Sequence, residues 1–203
     1  PIAVAYACAM ARKALGSLPE RVDLSVSGNI IKNVKSVVVP NTGGRRGLEA
    51  AAAAGVTAAD PDAQLECLTR LTQEDGDAIG AYLDRRCVQV RPLDTGRAFE
   101  ILAEVHSGGD AVQVRIVDQH TNVVRISRNG QVLAERAVPA AAQENPDQRL
   151  LAVEGILDYA DSVNLDDICQ PIRRQIALNT AIAEEGLRGR YEAMIGRESL
   201  PLL

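Results

Sequence analysis

Residues 122–135, NVVRISRNGQVLAE, decide the fold class of this chain. Two runs rich in aliphatic residues, 122–126 and 131–135, flank the segment Arg128-Asn129-Gly130. Asn-Gly between such runs is a strong signal for a two-residue hairpin turn, because both turn positions need a positive φ that these residue types tolerate. The stretch therefore predicts two antiparallel strands.

Further strand signals precede this hairpin and extend it into a sheet. Residues 87–91, 99–106 and 112–118 carry strand patterns, and their order along the chain predicts a meander. A strand is also predicted over 21–27, where apolar and polar residues alternate with a period of two.

Helical patterns occupy most of the remaining chain. They cover residues 2–15, 29–34, 48–59, 63–71 and 72–85, and, after Pro146, residues 150–160, 165–170 and 171–186. We therefore expect an α+β fold: a mostly antiparallel sheet with alanine-rich helices packed on it, followed by a C-terminal helical segment. The predicted division is a domain over 1–139 and the helical segment over 140–203.

The composition excludes several classes of function. The chain has 203 residues, 46% hydrophobic and 2% aromatic, with a net charge of −5. An acidic chain with few rings does not favour nucleic-acid binding, and no window reaches the roughly 18 consecutive apolar residues of a membrane span. The four cysteines form no C-x-x-C pair, which favours free thiols in a reducing cytosol. We expect a cytoplasmic protein.

Polar side chains share one face of the short helix predicted after the strand that ends at Ser27. Asn29, Lys32 and Asn33 fall at i, i+3 and i+4, which leaves the aliphatic residues between them for the core. A cation and two amides together offer the donors and acceptors that a zwitterionic amino acid requires. The same pattern is typical of a solvated helix face, and both interpretations stay open at this point.

A second candidate site is the loop that contains Asn41, Thr42, Gly43 and Gly44, just before the alanine-rich helix. Glycines let backbone N–H groups converge, and a helix N-terminus adds partial positive charge, so a carboxylate or phosphate could bind there. The spacing is not that of a Walker loop. An ordinary glycine-rich turn is the alternative.

The third candidate is His120, which lies with Thr121 and Asn122 between two predicted strands. Imidazole titrates near neutral pH, so His120 could transfer a proton or stabilise an anion; the alternative is a loop residue that only makes hydrogen bonds. The sequence has no Gly-x-Ser-x-Gly, His-Glu-x-x-His or Gly-x-Gly-x-x-Gly motif, so serine hydrolases, zinc proteases and dinucleotide enzymes lose support.

These segments together resemble a known family. Residues 27–44, SGNIIKNVKSVVVPNTGG, the alanine-rich segment from Leu48, residues 120–124, HTNVV, and residues 184–187, EEGL, occur in that order. They resemble the N-terminal half of the bacterial and archaeal L-cysteine desulfidases, a family related to the iron–sulfur-dependent L-serine dehydratases.

The resemblance implies a lyase that works without pyridoxal phosphate. Such an enzyme uses a [4Fe–4S] cluster with one open iron to eliminate the β-substituent of L-cysteine or L-serine, which gives pyruvate and ammonia. Lys32 and His120 are the candidate catalytic residues. The substrate-binding residues that it implies are Ser27, Asn29, Lys32, Asn33, Asn41, Thr42, Gly43, Gly44, Thr121 and Asn122.

Two features of that family are missing from this sequence. Its Gly-Cys-Thr-x-Pro motif aligns only through the proline, at Pro1, so the motif cysteine is absent. The cluster-binding cysteines belong to the family's C-terminal half, and Cys8, Cys67, Cys87 and Cys169 match none of them.

We therefore expect residues 1–139 to form the substrate-binding domain and residues 140–203 to begin a missing cluster-binding domain. No metal ligand is expected in this chain, and the chain alone should be inactive. The expected partners are a small amino-acid substrate and a cluster-bearing C-terminal half or subunit, and homo-oligomers are possible.

Two other functions remain open. A related fold in some phosphoglycerate dehydrogenases implies a non-catalytic domain that senses an amino acid or hydroxy acid. A pyridoxal-phosphate enzyme would use Lys32 for a Schiff base and residues 42–44 for the phosphate, and we expect no such cofactor.

Overall fold

A computed structural model describes residues 1–138 and 151–189 of the chain. The chain divides into two compact units, Pro1–Ala141 and Ala142–Leu203, called the first and second unit below. The domain boundary predicted at 139/140 lies outside the described residues. Within the described part of the chain, no helix has the length and apolar character needed to cross a membrane.

The first unit mixes helices with six described strands. Its helices are α1 (Ile2–Leu15), α2 (Gly28–Val34), α3 (Gly47–Thr57), a 3-10 helix (Pro61–Glu66) and α4 (Gln73–Asp84). Its strands are β1 (Arg21–Ser27), β2 (Val88–Leu93), β3 (Glu100–Ser107), β4 (Asp110–Val117), β5 (Val123–Arg128) and β6 (Gln131–Glu135). The second unit contains α5 (Val153–Ser162) and α6 (Leu165–Arg188). The expected α+β fold with a C-terminal helical segment is confirmed.

The strands form one sheet in the order β2-β1-β3-β4-β5-β6. The pairs from β3 to β6 form a meander as predicted. The strand predicted over 87–91 is not part of it, because β2 pairs with β1 at the sheet edge, in the one parallel pair of the described sheet. Asn129 and Gly130 have φ of 50° and 80°, as the hairpin turn between β5 and β6 requires. The sequence pattern at 122–135 is therefore confirmed.

The core lies between one face of the sheet and helices α1 and α3. Leu24 of β1 stands opposite Ala103 of β3, and both side chains are fully buried beside the helices. The alanine-rich α3 packs closely on α1 through Gly55, because a Cβ at this position would lie 2.7 Å from the Cβ of Cys8. Small side chains therefore set the close spacing of the two helices.

The other face of the sheet carries polar side chains, including an ion pair in which a buried carboxylate meets a partly exposed arginine. The Glu100 carboxylate is 98% buried and accepts hydrogen bonds from Nε and Nη2 of Arg115 at 2.7 and 2.6 Å. Thr95 Oγ1 donates to its other oxygen. Both carboxylate oxygens are thus paired, which is the condition for burying a charge.

The prediction of a helix over 63–71 is wrong. The 3-10 helix ends at Glu66, and Gln64, at φ 49° and ψ −116°, interrupts its helical path. The cause is a local closure, since Asp60 N donates to Cys67 O at 3.0 Å and turns the chain back on itself. The helix predicted over 72–85 is confirmed as α4, which begins after a capping box in which Thr72 binds Asp75 N and Asp75 returns the hydrogen bond.

The second unit differs from the prediction at Pro171. The sequence predicts two helices that meet there, but α6 runs through the proline without a break. Proline has no N–H, so the carbonyl of Asp167 loses its helical partner. Asp167 is exposed, which lets water bind that carbonyl and lowers the cost of the interruption.

Candidate functional site

A cavity of about 610 Å³ in the first unit is the strongest candidate for a binding site. It is bordered by the first turn of α1, by α2, by the start of β3 and by the β4–β5 loop. Most lining residues are apolar, and three are polar: Asn29, Asn33 and His120. A concave apolar pocket with a few convergent polar groups is the usual form of a small-molecule site.

The junction of β1 and α2 brings the two asparagines to this cavity. Ser27, the last residue of β1, is buried; its Oγ donates to Ala98 O at 3.0 Å and accepts from Glu100 N at 3.3 Å. These bonds fix the start of α2 against the start of β3. Asn29 and Asn33, one helical turn apart, then both line the cavity.

The β4–β5 loop brings His120 to the same cavity. Asp118 has a φ of 63°, its N–H donates to Phe99 O at 2.9 Å, and Arg97 Nη1 lies 2.7 Å from its carboxylate. The loop is thereby held to the segment before β3. The His120 ring packs on Phe99 with a centroid distance of 4.5 Å and an interplanar angle of 46°.

Lys32 lies elsewhere on α2. Its side chain is exposed and is not among the residues that line the cavity, although Asn29 and Asn33 on either side of it are. Two of the three polar residues of the predicted helix face, Asn29 and Asn33, therefore line the same cavity as His120. Asn33 and His120 are 87 positions apart in the sequence.

The polar groups of the Asn41–Gly44 loop bind the protein's own chain. Asn41 Nδ2 donates to Leu68 O at 3.0 Å, the buried Thr42 donates through Oγ1 to Val39 O at 2.7 Å, and Arg45 donates to Thr42 O. The loop, with Gly43 and Gly44 at positive φ, is not part of the cavity lining.

Thr121 and Asn122 also lie outside the lining. Thr121 borders a second cavity of about 550 Å³, together with Tyr6 and Arg125, and Asn122 Nδ2 donates to Val117 O at 3.0 Å. Asn122 therefore shapes the loop that carries His120.

The apolar part of the lining was missed from the sequence. Ile2, Leu65 and Phe99 all border the cavity, but aliphatic and aromatic residues in such positions follow the same patterns as core residues. Phe99 is the single phenylalanine of the chain and the first residue of a predicted strand, and this is the one signal in the sequence that could have pointed to it.

The described cysteines do not fit an iron–sulfur cluster. Cys8 and Cys67 are buried in the core, and burial raises the pKa of their thiols to about 12 and about 11, which disfavours the thiolate form in which cysteine binds a cluster. Among residues 1–138 and 151–189, no group of three or more His, Cys, Asp or Glu side chains is arranged to hold a metal ion.

Comparison with known proteins finds relatives along nearly the whole chain. A UPF0597 protein of Desulfitobacterium hafniense is 41% identical over 198 residues, which are 97% of this chain and 46% of that protein. A UPF0597 protein of Treponema denticola is 37% identical over 202 residues, 98% of this chain and 47% of that protein. The chain is a relative of the UPF0597 proteins.

The similarity to the UPF0597 proteins extends to other bacteria. One from Vibrio campbellii is 36% identical over 203 residues, 97% of this chain and 47% of that protein. The chain spans about half the length of these curated relatives, whose names state neither an activity nor a substrate. No protein-family profile matches the chain. No solved structure matches it.

Proposed function

We propose that this chain is the substrate-binding portion of a lyase that eliminates the β-substituent of L-cysteine or L-serine to give pyruvate and ammonia. The observation that carries the proposal is the meeting of Asn29, Asn33 and His120 at one cavity. These residues belong to two separate segments, each of which resembles the L-cysteine desulfidases. Because both segments border one cavity, we propose that they bind the same substrate.

The chemistry of these side chains suits an amino acid. The amides of Asn29 and Asn33 offer N–H donors for the substrate carboxylate and carbonyl acceptors for its ammonium group. Both side chains are exposed at the cavity, so a ligand can reach them. His120, held by Phe99, is the group proposed to take the proton from the substrate Cα.

The position of Pro1 adds support. Pro1 lines the cavity, and the resemblance aligns it with the proline of the family's Gly-Cys-Thr-x-Pro motif. The motif cysteine lies three residues before that proline, and three residues span at most about 10 Å. In a protein that contains the whole motif, the cysteine would therefore lie within reach of this cavity.

The [4Fe–4S] cluster that the resemblance implies would supply the Lewis acid for the leaving group. Because the described residues do not fit such a cluster, its ligands belong elsewhere, and the roughly twofold greater length of the UPF0597 relatives leaves room for them. Pyridoxal phosphate has no place in the proposal, since Lys32 lies outside the cavity lining. The proposed location is the cytoplasm.

The binding role is tested by calorimetry of the 203-residue chain with L-serine, using neighbouring residues of α2. We expect Asn33→Ala to weaken binding about tenfold or more, because it removes a hydrogen bond to a charged group. Lys32→Ala is the matched control, exposed on the same helix but outside the lining, and should bind L-serine as the unmodified chain does. Equal losses in both variants would contradict the site.

The catalytic role is tested by pyruvate formation from L-cysteine and L-serine under anaerobic, iron-reconstituted conditions. We expect turnover by the full-length Desulfitobacterium hafniense relative and none by this chain alone. Ligand binding without turnover in the full-length relative would instead support the sensing function. Turnover by the isolated chain would show that the catalytic parts are within it.

A further inference from the structure

The cavity is larger than L-serine or L-cysteine requires. Its volume of about 610 Å³ lies in the middle of the range of roughly 300–1,000 Å³ that is typical of pockets for drug-sized ligands. A single-carbon side chain ending in a hydroxyl or thiol would leave much of this space to water. A cavity of this size has room for a ligand with a longer side chain.

The lining indicates what that side chain is made of. Three polar residues, Asn29, Asn33 and His120, suffice for the amino-acid head group, and the described lining contains no Asp, Glu, Lys or Arg side chain. The first turn of α1 and the 3-10 helix contribute only apolar side chains, of which Ile2 and Leu65 are the largest. An apolar group of a ligand that covers this surface removes it from water, which favours binding.

Leu65 is held at the cavity by an unusual backbone. Its side chain is 43% exposed, although it is a large hydrophobic residue. The preceding Gln64 has a φ of 49° and a ψ of −116°, a conformation that a non-glycine residue rarely adopts and that costs about 1–3 kcal/mol. The fold thus maintains a strained turn next to a leucine that borders the cavity and is left partly in water.

From these observations, and resting on the function proposed above, we propose that the site takes amino acids with an apolar β-substituent, the S-alkyl- and S-aryl-L-cysteines. The polar head binds Asn29 and Asn33 with its Cα next to His120, and the apolar group covers Leu65 and its neighbours. In the elimination, a base takes the Cα proton, the Cβ–S bond breaks with its electron pair on sulfur, and the thiol RSH leaves. Water then converts the aminoacrylate to pyruvate and ammonia.

The test is calorimetry of the 203-residue chain with L-serine, S-methyl-L-cysteine and S-benzyl-L-cysteine. We expect affinity to rise along this series, with S-benzyl-L-cysteine binding at least tenfold more tightly than L-serine. If L-serine binds as tightly as the benzyl compound, the preference for apolar groups is overturned while the proposed amino-acid site stands. If none of the three binds, both proposals fail.

A matched pair of variants locates the apolar contact. Leu65→Gln should remove most of the tenfold preference for S-benzyl-L-cysteine over L-serine. Leu18→Gln is the control, because Leu18 is 49% exposed and does not line this cavity, so the preference should persist. Equal affinities of the two variants for S-benzyl-L-cysteine would show that the benzyl group does not contact the proposed surface.

Discussion

The two units of this chain both contain helices, but among the described helices, buried residues occur only in the first unit. In the first unit, α1 and α3 bury nearly every alanine against each other and the sheet, whereas no residue of α5 or α6 is buried. Both units contain amphipathic or apolar helices. Helix-forming sequence is therefore not enough for a core, which needs a second surface at packing distance.

The largest difference between the units should appear when the glutamate of one glutamate–arginine pair in each unit is replaced by alanine. Glu100→Ala removes the buried carboxylate to which Arg115 and Thr95 donate, and should lower the free energy of unfolding by about 2–3 kcal/mol, since Arg115 keeps partial access to water. Glu184→Ala removes an exposed pair with Arg188 on α6 and should cost at most about 0.5 kcal/mol. Urea unfolding followed by circular dichroism measures both, since the chain has no tryptophan. Similar losses of stability in both variants would contradict this difference between the units.

A smaller effect is expected from one substitution made at two helical glycines. Gly55→Ala forces a methyl group onto α1 and should destabilise the first unit by about 2 kcal/mol, after roughly 1 kcal/mol is regained in helix propensity. Gly186→Ala on α6 meets no atom within 4 Å and should leave the unfolding of the first unit unchanged. Urea titrations measure the free energy of unfolding of both variants. A stabilised Gly55→Ala variant would show that α1 and α3 are not tightly packed.

The smallest effect concerns pH and the buried thiol of Cys8. Burial raises its pKa to about 12 from 9.0, so between these values the folded state keeps a proton that the unfolded state releases. The thiol's contribution is complete well below pH 9 and is lost as pH rises towards 12, with roughly 1 kcal/mol gone by pH 10. Cys8→Ala should show a correspondingly weaker fall in stability from pH 8 to 10. An identical fall in both proteins would mean that Cys8 ionises freely when folded.

The sequence predicted the elements of the first unit well where local chemistry decides them. The β5–β6 hairpin follows from Asn129-Gly130, and α4 follows from the capping box at Thr72. The helix predicted over 63–71 is absent, because a hydrogen bond from Asp60 N to Cys67 O turns the chain back. A periodic sequence pattern does not reveal such a pairing. At Pro171 the prediction failed because an exposed helix tolerates a missing hydrogen bond.

The candidate site could be predicted only in part for a similar reason. Asn29, Asn33 and His120 carry polar side chains in recognisable motifs, so they were found. Lys32 is exposed on α2 outside the cavity lining, and the Asn41–Gly44 loop binds the protein's own chain, as Thr42 binds Val39. The sequence pattern shows neither arrangement. The apolar border around Leu65 depends on a strained turn, which has no sequence pattern of its own.

The parallel pairing of β1 with β2 has a consequence for how the chain folds. Val22 of β1 pairs with Val88, and Leu24 pairs with Ala103 of β3, whereas β3 to β6 are joined by short connections. Closing a long loop costs more entropy than closing a hairpin, so we expect the meander to form before β1 joins the sheet. The β1–α2 junction, which carries Asn29 and Asn33, is then among the last parts to assemble, and the cavity is completed only when folding is nearly finished.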